Sequence, residues 1–192
     1  MTKEVVHFYK TWAPELSRRF DDISSARLYA PLSEWLPNTP SRVLDVGAGT
    51  GRDARWFATL GHDVIAADPV PELRTAQEVA WVTAALPELD GLEGPFDLIT
   101  LSGVWHHIAP GMRDAAMARL AALTATQGRC LISLREGPAS NPGTTWPAPV
   151  PQTSALATGA GFTLSAIIAT SPQQARNRDA GVRFTWLALT RQ

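Results

Sequence analysis

Three alternate glycines, Gly47, Gly49 and Gly51, follow the apolar run RVLDV and precede a helix-like stretch that begins at Arg52. Glycines there let a backbone approach a ligand closely, and a turn that opens a helix points N–H groups outward. Asp68 lies nineteen residues beyond Gly49, at the end of the next apolar run, where a carboxylate can accept both hydroxyls of a ribose. The plain alternative is a tight strand-to-helix turn with no ligand. Spaced glycines together with the acid point instead to a nucleoside. The dinucleotide fingerprint G-x-G-x-x-G is not met, because Arg52 stands where its third glycine belongs. Asp45, two residues before Gly47, sets a carboxylate at the mouth of the turn, which repels a pyrophosphate and attracts an ammonium. The pattern favours a cationic nucleoside.

A second group able to do chemistry is WHHI, directly after FDLITLSGV, where His106 and His107 fall at the carboxyl end of a strand-like run. Ligands of α/β sheets bind at such ends. Either histidine is a candidate base, with a rate rising through an ordinary imidazole pKa near 6.5. The structural alternative is a ring that hydrogen-bonds the loop and fixes its turn. Neighbouring side chains point apart, so one facing ring and one holding ring are expected, with His106 favoured to face the pocket.

The elements that must position these residues alternate. RVLDV (42–46), DVIAA (63–67), FDLITL (96–101) and RCLISL (129–134) are nearly apolar throughout, as strands covered on both faces are. Helical patterns fall at 52–60 ending at Gly61, at 72–79, and at 111–126, where Met112, Ala116, Leu120 and Leu123 share one face. Such alternation implies crossover units and a parallel sheet. FTLSAIIAT and VRFTWLALT near the end are separated by a polar segment with no apolar helical period, so they are expected to pair as an antiparallel hairpin. Residues 1–36 read as an amphipathic helical cap, with Leu28, Leu32, Trp35 and Leu36 on one stripe and Pro31 starting a new helix or kinking one. GPASNPGTTWPAPVP (137–151) is too rich in Pro and Gly for regular structure, and a loop of that length is expected to be a lid.

In the order VLDVGAGTG, Asp68, Leu86–Pro87 and FDLITLSGVWHHI, the chain resembles the class I S-adenosylmethionine-dependent methyltransferases, nearest to the small bacterial UbiE-like, methyltransferase-domain group. The likeness runs from about residue 40 to the C-terminus. It implies a Rossmann-like α/β fold: a seven-stranded, mostly parallel sheet of order 3-2-1-4-5-7-6 with its last strand antiparallel and helices on both faces. Residue by residue, it implies that Gly47, Ala48, Gly49 and Gly51 wrap the methionine part of S-adenosylmethionine, with Asp45 near the ammonium. Asp68 would hold the ribose, Pro69 would lie beside the adenine, Ala85 and Leu86 would read its edge, and Ser102, Gly103 and Val104 would floor the sulfonium. The family's usual Asp just before the Leu-Pro pair is missing, since Thr83 and Ala84 stand there.

Tyr9 on the cap is expected to reach the cofactor, while Trp12, Trp105 and Trp146 on the cap, motif loop and lid are candidates to line the acceptor pocket. Trp35, Trp56, Trp81 and Trp186 sit in apolar periods and read as core. Arg18, Arg19 and Arg27 read as a solvated face that is within reach of a carboxylate.

Composition narrows the reading. Over 192 residues, 17 Lys+Arg against 18 Asp+Glu give a net charge of −1, which argues against nucleic acid and membrane partners. The one cysteine, Cys130, rules out an internal disulfide, and no metal site is expected. The amino-terminal MTKEVVHFYKTW lacks the apolar core of a secretory signal, so a soluble, cytoplasmic protein of one domain is expected: cap 1–36 and core 37–192. The expected activity is methyl transfer to an oxygen, nitrogen or carboxylate of a small molecule. The alternatives are a non-catalytic nucleoside-binding module of the same fold and, third, a nicotinamide oxidoreductase. An aromatic-rich cap also offers surface for a homodimer.

Overall fold

Each apolar run of the sequence lies inside one sheet of seven strands. The computed structural model describes residues 1–138 and 144–192. The cap consists of α1 (Lys3–Thr11), α2 (Ala13–Asp21), α3 (Ser25–Tyr29) and a 3-10 turn (Ala30–Trp35). Then follow β1 (Arg42–Val46), α4 (Arg52–Thr59), β2 (Asp63–Ala67), β3 (Ala80–Val82), β4 (Phe96–Leu101), α5 (Arg113–Leu123), β5 (Thr124–Glu136), α6 (Val150–Gly159), β6 (Phe162–Thr170), α7 (Ala175–Asp179) and β7 (Arg183–Arg191). The order is β3-β2-β1-β4-β5-β7-β6, as the resemblance implies. Strands β1 to β5 pair in parallel, while β7 runs antiparallel to both β5 and β6.

Both faces of the sheet are covered. Leu44, Val46 and Leu101 pack with Ala116, Met117 and Leu120 of α5 and Ala157 of α6 on one side. Val43, Ala66 and Leu98 pack with Ala54 and Phe57 of α4 and with Tyr29 and Leu32 of the cap on the other. Complete burial of a side chain such as Phe57 or Leu120 contributes roughly 1.5–3 kcal/mol. The cap follows from local signals. The Ser24 hydroxyl accepts from the Arg27 amide to start α3, and Pro14 and Pro31 each stand in a first turn, where a missing N–H costs nothing.

Three elements differ from the sequence reading. No helix forms over 72–79. Only Pro71–Leu73 makes a 3-10 turn, because the Thr75 and Ala76 amides donate to the Thr50 carbonyl and the chain must enter β3 at Ala80. The 111–126 helix ends at Leu123, and Thr124 already pairs with Phe96 at the start of β5. Helix α6 begins inside the 137–151 segment, with Pro151 in its first turn, where proline is tolerated. Of the segment expected to be a lid, residues 139–143 lie outside the described residues. No helix among the described residues is long and apolar enough to cross a membrane.

Candidate functional site

A cleft of about 460 Å³ opens at the carboxyl ends of β1, β2, β4 and β5, roofed by the cap and by the β6–β7 connection. The glycine turn forms its floor. Gly47, Gly49 and Gly51 all have positive φ (68°, 57° and 81°), which an L side chain adopts only with strain. They do different jobs. Gly47 lies against Val104, and a Cβ on Gly51 would meet Trp81 at 2.7 Å and Ala76 at 2.8 Å. Gly51 is therefore a packing glycine and does not line the cleft, whereas Gly47, Ala48 and Gly49 do.

Four amides of this turn, those of Gly47, Ala48, Gly49 and Gly51, are already used. Gly47 and Ala48 donate to the Ala67 carbonyl at 2.7 and 3.1 Å, Gly49 donates to Asp68 Oδ2 at 2.9 Å, and Gly51 donates to the Ala48 carbonyl. The expectation that the turn points free N–H groups at a ligand is thus corrected: strand β2 and its terminal acid absorb them. What the turn offers is an acceptor. Asp45 sits opposite Thr100 in the β1–β4 register, and its Oδ1 accepts from Thr100 Oγ1 at 3.1 Å, while Oδ2 is buried with no partner. Burial first, and then the neighbouring Asp53 carboxylate, raises Asp45 to about 8. Asp53 itself is satisfied. It takes both Nε and Nη2 of Arg52 at 2.8 and 2.7 Å and the Ser25 hydroxyl at 2.6 Å.

Arg52, standing where a dinucleotide fold needs glycine, also reaches across to the Phe20 carbonyl at 2.9 Å and clamps the cap. Asp68 bridges the turn to the next segment, its Oδ1 accepting from the Val70 amide at 2.8 Å. Burial pushes Asp68 up to about 6 against the opposing effect of those amides. Pro69, Val70 and Leu73 form an apolar wall beside it, and Ala13 and Leu16 of the cap pack on Val70 and Leu73. Ser102, Gly103 and Val104 lie across the floor. Ala85 and Leu86 are not in the cleft. Leu86 is a core residue, and its carbonyl accepts from the Met1 amino group. Thr83, in place of the family's acid, accepts from Arg74 Nη2 at 2.7 Å.

The two histidines do not point apart as their adjacency suggests, but they differ in what holds them. The imidazole of His107 is held at both nitrogens: Nδ1 donates to the Thr144 carbonyl at 2.5 Å and Nε2 accepts from the Tyr9 hydroxyl at 2.8 Å. Among the described residues no hydrogen bond engages the His106 side chain, whose Nδ1 is buried unpartnered and whose ring centroid lies 4.1 Å from that of His107. Both rings line the cleft. Burial lowers His106 well below the ordinary imidazole range and His107 to about 4, so an activity pKa near 6.5 is not expected of either. Tyr9 lies within the cleft and joins the cap to this loop.

The three tryptophans expected around the acceptor are elsewhere. Trp105 is fully buried in the core, Trp12 is half exposed on the cap, and Trp146, whose amide donates to the His106 carbonyl, does not line the cleft. Phe8, Phe20, Phe184 and Trp186 supply the aromatic walls instead. Arg135 also faces the cleft. Its signal was available, as the first charged residue after the RCLISL run at the ligand end of a strand. Among the described residues no group of three His, Cys, Asp or Glu could hold a metal ion.

Comparisons with known proteins agree with this geometry. A family model described as "Methyltransferase domain" matches residues 16–163. An uncharacterized methyltransferase of Mycobacterium tuberculosis is 33% identical over 98 residues, which cover 45% of this chain and 38% of that protein. The chain thus spans well under half the length of that relative. An uncharacterized methyltransferase of Staphylococcus carnosus is 28% identical over 142 residues, 67% of each chain. The 1,6-didemethyltoxoflavin-N1-methyltransferase of Burkholderia thailandensis, solved with 1,6-didemethyltoxoflavin and S-adenosylhomocysteine bound, superposes with a TM-score of 0.75 at 26% identity, covering 98% of this chain and 87% of that one. Magnesium protoporphyrin IX methyltransferase of Synechocystis shares the fold, with a TM-score of 0.75 at 16% identity over 98% of each chain.

Proposed function

This chain belongs to the class I S-adenosylmethionine-dependent methyltransferases, and from that premise we propose that it transfers a methyl group from S-adenosylmethionine to a small molecule held in the cleft. The observation that carries the reading is Asp45 Oδ2, buried and unpartnered beside a glycine turn with no spare amide at Gly47, Ala48 or Gly49. Such a turn suits an ammonium-bearing nucleoside and offers a pyrophosphate none of the three amides at Gly47, Ala48 and Gly49. Together with Arg52 at the third fingerprint position, this disfavours a nicotinamide cofactor.

The residues present fit the group. Asp45 would hold the ammonium, Asp68 the ribose hydroxyls, and Pro69, Val70 and Leu73 the adenine through apolar contact. When bound, S-adenosylmethionine supplies a methyl group already activated on a positively charged sulfur. The chain therefore has to place the acceptor and exclude water. Phe8, Tyr9 and Phe20 of the cap do the excluding, and Gly103 is fixed by its amide donating to Ser133 Oγ at 2.7 Å. His106, neutral and unheld, is the ring free to take a hydrogen bond or a proton from the acceptor, while His107 and Tyr9 hold the loop. A cavity of about 460 Å³ is within the range of small-molecule sites.

Incubation with S-adenosylmethionine carrying a labelled methyl group and a small-molecule metabolite extract tests the proposal. A labelled product with matching S-adenosylhomocysteine is expected. Cofactor binding without any product would favour the non-catalytic binding module.

A further inference from the structure

The acids lining the cleft are confined to one half of it, where Arg52 is paired with Asp53. These acids, Asp45, Asp53 and Asp68, all belong to β1, α4 and the end of β2. Over β5, α7 and the end of α2 the lining has no acid, and it carries Arg135, Arg176 and Arg19. The groove that continues outward between the cap and α7 is lined by Arg19, Arg27, Arg176 and Arg178 against Asp22 alone. A cleft mouth of one sign raises the local concentration of ligands of the other sign.

Arg135 is the innermost of these cations. It is half-buried at the carboxyl end of β5, opposite Phe184 in the β5–β7 register. Its Nη1 donates to the Pro138 carbonyl at 2.8 Å, and among the described residues it has no ion pair. Among the described residues no hydrogen bond engages Nε or Nη2, the edge that matches the two oxygens of a carboxylate with parallel N–H bonds. Arg135 lines the same cleft as Tyr9, His106 and His107, which feel its charge, and Tyr9 feels Asp68 as well. Phe184 and Trp186 form an apolar wall next to it.

We propose that the acceptor is an apolar or aromatic carboxylic acid whose carboxylate is anchored by Arg135. The assignment rests on the methyltransferase reading, since it takes the β4–β5 half of the cleft as the acceptor side. The arginines of α2 and α7 draw the anion in, and Arg135 fixes its orientation.

The test uses full-length protein saturated with S-adenosylhomocysteine and titrated with benzoate, quinoline-2-carboxylate and indole-3-carboxylate, each beside its carboxamide, with phenyl phosphate as the other anion. At least one acid should bind about tenfold or more tightly than its amide. Arg135→Met should abolish that preference and Arg135→Lys should keep part of it, with S-adenosylhomocysteine affinity and thermal midpoint unchanged in both. Equal binding of acid and amide, no binding of any acid, a preference that survives Arg135→Met, or phenyl phosphate binding more tightly than benzoate overturns the proposal. Wild-type protein that fails to bind S-adenosylhomocysteine overturns instead the reading beneath it.

Discussion

Replacing Asp45 by Asn should stabilise the protein while weakening its hold on the cofactor, and the stabilisation should grow with pH. Asp45 is 2% exposed, and its pKa rises from 3.8 to about 8 on folding. A carboxyl raised by folding binds its proton more tightly in the native state. Stability is therefore lost as pH climbs between the two values. Between pH 7 and pH 9 the unfolded group is ionised throughout, while the native group passes from mostly protonated to mostly ionised. Linkage then gives a loss of about 1.4 kcal/mol over that window. For a chain of this size that is about 3–6 °C in thermal midpoint. Asn keeps an acceptor for Thr100 and cannot ionise, so the midpoint gap between Asp45→Asn and wild type should widen by that amount from pH 7 to pH 9. Titrating groups remote from Asp45 are common to both proteins and cancel. Scanning calorimetry at the two pH values reads the gap directly. A gap that stays constant would mean that Asp45 ionises in the native state as readily as in the unfolded chain, and that burial does not raise it.

The remaining expectations are independent of that one. Asp68→Ala removes the acceptor proposed for the ribose and should weaken S-adenosylhomocysteine binding roughly ten- to a hundredfold by titration calorimetry. Unchanged affinity in a folded variant would mean that the turn has been misread. His106→Ala should leave the thermal midpoint close to wild type but lower kcat if the acceptor must lose a proton, whereas His107→Ala should lower the midpoint; the reverse pattern would exchange their roles. Burial holds both rings neutral. Neither ring should accordingly give activity an inflection near pH 6.5, and one that persists in Asp68→Asn, which lacks the carboxyl raised to about 6, would contradict that burial. Tyr9→Phe removes the bond from cap to motif loop and should cost about 0.5–1.5 kcal/mol by chemical denaturation. Its acceptor KM should rise as well, and a silent substitution would show that the cap is held elsewhere.

The parts of the fold legible in the sequence are those buried on both faces. VLDV, VIAA and LITL could only be strands of a covered sheet, and the polar link before VRFTWLALT left no apolar helix to make a crossover. Helix 72–79 was misread because its pattern is local, whereas the competing bonds, from the Thr75 and Ala76 amides to Thr50, join segments far apart in sequence. Proline masked α6, although Thr153 and Ala157, four apart and both buried, carried a helical signal. At the site, the type and place of Asp45, Asp68 and the histidines could be read directly. Spacing alone could not separate a glycine that faces a ligand from one that, like Gly51, accommodates Trp81. Nor could it reveal that β2 had already claimed the turn's amides.

Calorimetric titration of the purified protein with S-adenosylmethionine, with ADP-ribose in a parallel cell, bears most directly on the central claim that the turn between β1 and α4 is a site for a cationic nucleoside. One-to-one binding of S-adenosylmethionine and none of ADP-ribose is the predicted result. Binding of ADP-ribose in preference, or of neither compound, would contradict it.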